Sequence, residues 1–233
     1  MKKRIYKKLM LYRLTFSLLL LLLLSGCYTN KHQGTRDSQY DKMSFYPSFP
    51  NYNRDYTRVR FPKGDRGIYF PLVKKYSDKY YIGESLILAI METESNFNPK
   101  AKSHIPAIGL MQIVPRSAGK DILGWKPTHN YLYDPENNIR VGTAYLNKVY
   151  YKYLKGINNP ATKEYLTIAA YNTGVGNVLR SFSRDRNRAF SRINSMSTQA
   201  VYRHMLRRLP YKETRDYLRK VTARKKKYLK YDG

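Results

Sequence analysis

Apolar residues recur at helical spacing along most of the chain beyond residue 66. Intervals of three and four residues between apolar positions predict amphipathic helices, and prolines fall in the gaps between them. The predicted helices cover residues 67–81, 86–97, 138–154, 165–179, 198–209 and 213–230. No segment alternates strongly enough for a sheet, although a small β-hairpin between Lys102 and Gln112 is compatible with the pattern. The chain is therefore predicted to fold as a mainly α domain over 61–233.

The first 26 residues have the pattern of an export signal. Residues 2–13 contain six basic and no acidic side chains, and a leucine-rich run of eleven residues follows from Leu14 to Leu24. A helix that spans a bilayer needs about 20 apolar residues, so this run fits the core of a signal peptide instead. Leu24-Ser25-Gly26-Cys27 then resembles a bacterial lipobox, in which cleavage precedes the cysteine and the cysteine is lipidated.

Cys27 is the only cysteine of the chain, which argues against a disulfide framework and a cysteine-rich zinc site. We expect its acyl chains to anchor the protein to a membrane. Tyr28 stands where aspartate is the usual inner-membrane retention signal, so the outer membrane is favoured, with the protein facing the periplasm. Residues 27–60 comprise this cysteine and a polar stretch without helical or strand period, which we interpret as a tether.

The charge of the chain is strongly positive. Lys and Arg number 44 against 16 Asp and Glu, and removal of residues 1–26 would lower the net charge from +28 to +22. A basic protein suggests nucleic acid, but export argues against it, so we expect no nucleic-acid partner. The positive field of the protein would attract anionic lipid head groups and anionic cell-wall peptides, while codon bias could supply part of the excess of basic residues. The four histidines have no metal-ligand spacing, and we expect neither a metal nor a cofactor.

One glutamate lies at the end of an apolar helical stripe. Glu94 follows Ile87 by seven residues and Met91 by three, so all three share one face. Burial on that face should raise the pKa of the carboxyl group, as a general acid near neutral pH requires. Glu92 points away from the stripe and is expected to be solvated. The pattern fits a general acid and a helix-end glutamate paired with an arginine or a loop N–H equally well.

Five short motifs follow one another between residues 82 and 221. They are Glu94-Ser95-Asn96-Phe97-Asn98-Pro99-Lys100-Ala101, Gly109-Leu110-Met111-Gln112, the pair Asp134-Pro135-Glu136-Asn137-Asn138-Ile139 and Gly142-Thr143-Ala144-Tyr145-Leu146, Ala170-Tyr171-Asn172-Thr173-Gly174-Val175-Gly176, and Glu213-Thr214-Arg215-Asp216-Tyr217-Leu218. In this order they resemble the motifs of soluble-type lytic murein transglycosylases. Residues 119–121 and 179–210 are most similar to the membrane-bound C type. That enzyme carries an extra domain before its catalytic part, and the short tether predicts that this chain lacks it.

The resemblance implies a goose-type, lysozyme-like helical domain with a substrate cleft. It also implies cleavage of the β-1,4 bond between N-acetylmuramic acid (MurNAc) and N-acetylglucosamine (GlcNAc) in peptidoglycan glycan strands. Glycosidases normally use two carboxylates, but no acid occurs between Glu94 and Asp121 or in the segment around Asn172. A single acid suits a reaction in which Glu94 serves as acid and then as base while the muramoyl 6-hydroxyl closes a 1,6-anhydro ring.

The matched positions imply further site residues around Glu94. Tyr217 would orient Glu94, and Gln112 and Asn172 would offer amide groups to the sugars. The implied substrate-binding residues are Ser95, Met111, Gln112, Tyr171, Asn172 and Tyr217. We expect a monomeric enzyme. A water-using muramidase on the same scaffold and a non-catalytic wall-binding lipoprotein remain alternatives.

Overall fold

The computed structural model describes residues 67–103 and 106–232. The predicted signal peptide, Cys27 and the tether lie outside the described residues, as does the predicted start of the domain at residue 61. None of the helices in the two described ranges has both the length and the apolar character needed to cross a membrane.

The described residues form a helical domain. Short 3₁₀ turns cover Gly67–Tyr69 and Leu229–Tyr231, and π-helical turns cover Pro115–Gly119 and Lys148–Tyr153. The α-helices of these ranges are α1 (Phe70–Tyr80), α2 (Glu84–Glu94), α3 (Lys120–Leu123), α4 (His129–Tyr133), α5 (Pro135–Asn147), α6 (Pro160–Thr173), α7 (Val175–Arg180), α8 (Arg186–Asn194), α9 (Thr198–Arg208) and α10 (Lys212–Tyr228). The mainly α-helical prediction is confirmed.

Helix α2 forms the centre of this domain. Nine consecutive residues, from Glu84 to Glu92, are buried. A helix that is apolar on nearly every side belongs inside a protein, and α2 is covered by α10 and α1. The C-terminal end of α2 reaches the surface at Glu94, so the fold carries this residue on its most enclosed helix.

The prediction that Glu92 is solvated is wrong. Its side chain is only 8% exposed, whereas the helical period placed it on a solvated face. Lys227 donates to its carboxylate at 3.0 Å, and the hydroxyl of Tyr228 donates at 2.9 Å. Burial raises the pKa of Glu92, but these bonds and the charges of Lys227 and Arg224 outweigh it, so the pKa lies below its ordinary value. The periodicity of α2 alone contains no information about the end of α10 that covers this face.

Helices α5 and α6 begin earlier than predicted because each has a side-chain cap. The Asp134 carboxylate accepts from the N–H of Asn137 at 2.8 Å, and the Asn159 side chain accepts from the N–H of Thr162 at 2.9 Å. Each cap is followed directly by a proline, which suits the first helical position. The polar caps lie outside the apolar stripes that guided the prediction.

The possible β-hairpin between Lys102 and Gln112 is replaced by two isolated bridges. Lys102 pairs antiparallel with Ile108, and Ile108 pairs antiparallel with Ile113. No strand forms within residues 67–103 and 106–232. The segment is therefore a loop that contains two isolated β-bridges, and it leads into the Gly109–Gln112 motif.

Candidate active site

Glu94 is the last residue of α2 and is partly buried. The hydroxyl of Tyr217, which lies on α10, donates a 2.7 Å hydrogen bond to Oε1 of Glu94. Tyr217 is itself buried, so its ring position is set by packing. The bond therefore holds one oxygen of the carboxyl group in a fixed direction.

Burial raises the pKa of Glu94 to about 7. The Tyr217 hydroxyl acts in the opposite direction because it stabilises the ionised form, while the negative charge of Glu213 raises the pKa further. The partial negative charge at the C-terminal end of α2 also disfavours ionisation. A carboxyl group with this pKa exchanges its proton readily near neutral pH.

The loop after Glu94 has an unusual backbone. Asn96 and Phe97 both adopt positive φ angles, 48° and 64°, although neither is glycine. Such angles are costly for bulky residues and persist where the surroundings impose them. Ser95 contributes to that restraint, because its hydroxyl donates to the carbonyl of Leu110 at 2.8 Å. The end of α2 is thus tied directly to the Gly109–Gln112 loop.

Asn138 fixes the Gly109–Gln112 loop through its side-chain hydrogen bonds. Its amide group donates to the carbonyls of Ile108 and Leu132 at 2.8 and 2.7 Å, and its side-chain oxygen accepts from the N–H of Met111 at 2.8 Å. Gly109 has a φ of 77°, and a Cβ there would lie 2.3 Å from Nδ2 of Asn138. Asn138 belongs to the motif Asp134–Ile139 but was not predicted to be a site residue, although a buried asparagine beside Ile139 is a signal for such a network.

Gln112 lies at the end of the same loop and is partly exposed. Its φ is 47°. Its amide nitrogen donates to the carbonyls of Gly109 and Ala101, at 3.0 and 3.1 Å. Because the nitrogen makes these two hydrogen bonds within the loop, the side-chain oxygen of Gln112 is the group available to a ligand.

Met111 departs from its expected place. Its side chain is 0% exposed, and a Cβ added to Gly142 would come within 2.4 Å of its sulfur. The side chain therefore fills the core beneath the loop, against α5, and does not form a surface that a sugar could touch. The absence of a Cβ at Gly142 makes this close packing possible.

Tyr171 and Asn172 lie near the end of α6. The hydroxyl of Tyr171 donates to the carbonyl of Met111 at 2.9 Å, and burial first, then the charge of Glu94, raises its pKa. Asn172 accepts from the hydroxyl of Thr214 at 2.7 Å through its side-chain oxygen. This bond leaves the amide nitrogen of Asn172 as the donor for a ligand.

Glu213 was not among the predicted site residues. It is exposed in the first turn of α10, and its charge acts on Glu94. Its position one helical turn before Tyr217 in the motif was the available signal. Asp121, by contrast, accepts from Lys148 at 2.6 Å and from the Tyr153 hydroxyl at 2.9 Å. Within residues 67–103 and 106–232, Glu213 is thus the acid whose charge raises the pKa of Glu94.

A family model described as "Transglycosylase SLT domain" matches residues 71–194, which is more than half of the chain. The chain belongs to this family. The matched range of the transglycosylase SLT domain includes Glu94, Gln112 and Asn172 and ends before Tyr217.

Curated relatives include proteins named membrane-bound lytic murein transglycosylase C. The one from Pectobacterium atrosepticum is 52% identical over 165 residues, which cover 69% of this chain and 46% of that protein. The one from Haemophilus ducreyi is 48% identical over 180 residues, which cover 75% of this chain and 48% of that protein. The chain spans about half the length of the curated relatives it matches. The predicted similarity to the C type is confirmed.

Solved structures of transglycosylase SLT domains resemble the described fold. The lytic transglycosylase Slt of Pseudomonas aeruginosa, solved as an inactive mutant, has a TM-score of 0.55 and 27% identity over 74% of this chain and 25% of that one. The 70-kDa soluble lytic transglycosylase of Escherichia coli has a TM-score of 0.55 and 30% identity over 75% of this chain and 25% of that one. The predicted lysozyme-like helical fold is consistent with both.

Proposed function

We propose that this protein is a lytic transglycosylase of peptidoglycan. It cleaves the β-1,4 bond between MurNAc and GlcNAc and leaves 1,6-anhydro-MurNAc ends. The observation that carries the proposal is the state of Glu94, whose pKa of about 7 and hydrogen bond to Tyr217 suit one carboxyl group for donating and then accepting a proton.

The reaction begins with protonated Glu94. Its proton passes to the oxygen that links the two sugars as the bond from that oxygen to C1 of MurNAc breaks. The carbonyl oxygen of the 2-acetamido group stabilises the positive charge that develops at C1. Glu94, now ionised, takes the proton of the 6-hydroxyl as that oxygen bonds to C1. No water is consumed, and Glu94 ends protonated again.

The surrounding residues position the reactants. Positioned proton transfer contributes typically about 10²–10⁴ in rate, so much of the acceleration must come from holding the sugar ring in a reactive geometry. The amide groups of Gln112 and Asn172 bind N-acetyl or hydroxyl groups, and Tyr171 lines the cleft beside them. Ser95 and Tyr217 act on Glu94 and its loop. Met111 contributes its carbonyl, which Tyr171 binds, and its buried side chain supports the loop.

Glu213 gives specific support to a second candidate, a hydrolytic muramidase. Most glycosidases flank the bond with two carboxylates, one of which activates water. The charge of Glu213 acts on Glu94, and in the hydrolytic reaction Glu213 would activate a water for attack on C1. In the transglycosylase reaction Glu213 instead contributes by raising the pKa of Glu94.

Digestion of purified murein separates these candidates. Muropeptides released by the protein should carry anhydro ends, which lack one water relative to reducing ends and resist borohydride. Borohydride-reducible products would support the muramidase instead. Glu94→Gln should abolish release and leave murein binding intact, whereas an unchanged digestion rate would remove Glu94 from the mechanism. Murein binding without release by the parent protein would identify a non-catalytic wall-binding protein.

We also propose that the protein is a lipoprotein anchored through Cys27, in the outer membrane and facing the periplasm, and that it acts as a monomer. The lipobox pattern and the word "membrane-bound" in the names of the relatives support the anchor. Cys27→Ala should release a protein with intact catalysis into the soluble fraction. Membrane association that survives this change would contradict the anchor.

A further inference from the structure

We infer that arginines on α8 and α9 bind the carboxylates of the peptide stems attached to muramic acid. This inference rests on the proposed function and specifies its substrate. The arginine surface is defined as the side chains of Arg188, Arg192, Arg203, Arg207 and Arg208, all of which are exposed. Arg188 and Arg192 are four residues apart on α8, as are Arg203 and Arg207 on α9, so each pair shares a helix face.

The basic residues change from mostly lysine before residue 180 to arginine in residues 180–208. Residues 67–179 contain eleven lysines and two arginines, whereas residues 180–208 contain eight arginines, no lysine and a single acid, Asp185. A bias in codon usage would act along the whole chain and does not explain the change. Arginine differs from lysine in its planar fork of donors, which matches a carboxylate with two parallel hydrogen bonds.

The arginine surface keeps its positive charge within the described part of the chain. None of its five members makes an ion pair with a residue in the described ranges. Arg192 donates to the carbonyl of Phe182 at 2.8 Å, which holds its guanidinium without cancelling its charge. The carboxylate of Asp185 is used to cap α8 at the N–H of Arg188. Like charges crowded on one face repel each other, and an anionic ligand would relieve this repulsion.

Phe182 contacts a residue of each helix: its carbonyl accepts from Arg192 of α8, and its ring stacks on His204 of α9. His204 stacks on the ring of Phe182, with 4.2 Å between ring centroids, and its Nε2 lies 2.8 Å from the carbonyl oxygen of Ser181. Burial lowers the pKa of His204, and the charges of Arg192, Arg208 and Arg207 lower it further. Phe182 therefore brings Arg192 of α8 close to the part of α9 at His204, and Arg207 and Arg208 follow His204 by three and four residues on that helix.

The chain segment that carries the arginine surface is connected at both ends to residues of the proposed catalytic site. The hydrogen bond between Asn172 and Thr214 joins the two ends of the segment that carries α8 and α9. The guanidinium of Arg215 donates to the carbonyl of Leu209 at 2.5 Å, which fixes the end of α9 against the first turn of α10. Glu213, whose charge acts on Glu94, lies in that turn. Arg207 and Arg208 thus lie at the end of α9 that is held against α10, the helix that carries Tyr217.

The substrate carries the anion that such a surface fits. Each muramic acid of a glycan strand bears a short peptide whose side chains and end contribute carboxylates. Four extended residues span about 13 Å, so a stem leaving a MurNAc bound at Glu94 can reach beyond the cleft rim. The contact between the end of α9 and the first turn of α10 places Arg208 near the helix that carries Tyr217, and this favours a ligand attached to the glycan over a membrane phosphate.

The test compares glycan strands that carry stems with the same strands after an amidase has removed them. The full chain, Arg207→Gln/Arg208→Gln and the control Lys220→Gln/Lys226→Gln are assayed for kcat/KM on both strands. The control removes the same charge from exposed positions of α10. We expect the arginine variant to lower the preference for stem-bearing strands by roughly tenfold, as for the loss of two exposed ion pairs, and the control to change it by less than about twofold.

The outcomes separate this inference from the proposed function. An equal fall on both strands, or an unchanged preference, would overturn the role of the arginine surface while leaving the transglycosylase intact. No anhydro ends from either strand with the parent protein would refute the proposed function itself. Binding of Glu94→Gln to stem-bearing strands, measured by co-sedimentation, should weaken when the two arginine substitutions are added, and should not weaken with the lysine control.

Vesicles of phosphatidylglycerol and phosphatidylcholine test the lipid alternative. All variants share the same N-terminal residues, so any contribution of those residues cancels in the comparison. The arginine variant should bind these vesicles as the lysine control does. A selective loss of vesicle binding together with an unchanged preference for stems would identify a lipid surface and overturn the inference.

Discussion

Replacement of Glu94 by glutamine tests the buried carboxyl group without relying on activity. Burial raises the pKa of Glu94 from 4.5 to about 7, so the folded state holds the proton more tightly than the unfolded state does. The stabilisation from this tighter binding is fully present below pH 4.5 and is lost as the pH rises through 7. Glutamine has no such proton, so Glu94→Gln should gain stability relative to the parent protein as the pH increases.

The magnitude follows from the size of the shift. A difference of 2.5 in pKa between unfolded and folded states corresponds to about 3 kcal/mol of unfolding free energy. Glu94 is partly rather than fully buried, so this value is an upper limit. For a domain of this size the change corresponds to roughly 6–12 °C in melting temperature. Glutamine keeps a side-chain oxygen that accepts the hydroxyl of Tyr217, so this hydrogen bond is retained in the variant and adds no change with pH.

The assay is thermal and urea unfolding of both proteins between about pH 4 and about pH 8. The difference in unfolding free energy should move in favour of Glu94→Gln by up to about 3 kcal/mol as the pH rises. Glu92→Gln is a matched control on the same helix, because the pKa of Glu92 is lowered and its substitution should become more damaging as the pH rises. A flat difference for Glu94→Gln, or one of the same sign as the control, would refute the reasoning.

Three other substitutions test neighbouring parts of the structure. Tyr217→Phe removes a hydroxyl that lowers the pKa of Glu94, so the pH at which cleavage is lost should rise in a pH–rate profile; a fall would contradict this role. Gly109→Ala places a Cβ 2.3 Å from Asn138 at a φ of 77° and should cost about 1–3 kcal/mol in urea unfolding, which an unchanged midpoint would disprove. Asp232→Ala removes a 2.8 Å bond to the N-terminus of α2 and should cost about 1 kcal/mol in thermal unfolding without moving the pH–rate profile.

The sequence predicts well the helices whose buried faces form long apolar stripes. Helix α9 was predicted over 198–209 and is found at Thr198–Arg208, and α10 was predicted over 213–230 and is found at Lys212–Tyr228. Helix α8 was missed because only Ala189 and Ile193 of its nine residues are buried, and its arginines conceal the period. Short helices have too few apolar contacts to leave a pattern.

The helix predicted over 165–179 is two helices in the structure. Gly174 has a φ of 82° and separates α6 from α7. The apolar stripe continues on both sides of this residue, so periodicity alone could not reveal the break. Glycine adopts positive φ angles readily, so the residue type at position 174, and not the apolar spacing, indicates where the stripe can break.

The proposed site was only partly accessible from the sequence. The apolar stripe before Glu94 and the motif around Tyr217 located two residues that the structure joins by a hydrogen bond. The burial of Met111 depends on Gly142 of a different helix, and the charge of Glu213 acts on Glu94 across more than a hundred positions of the chain. Both effects depend on tertiary contacts; the motif indicates the position of Glu213 beside Tyr217 but not its distance from Glu94.

The most direct test of the central proposal is digestion of murein in water labelled with heavy oxygen. If Glu94 protonates the leaving oxygen and then accepts the proton of the 6-hydroxyl, every atom of the new muramic end comes from the substrate. Mass spectrometry should then find anhydro ends without label. One heavy oxygen atom in each new end would mean that water attacks C1, and would contradict the proposed mechanism.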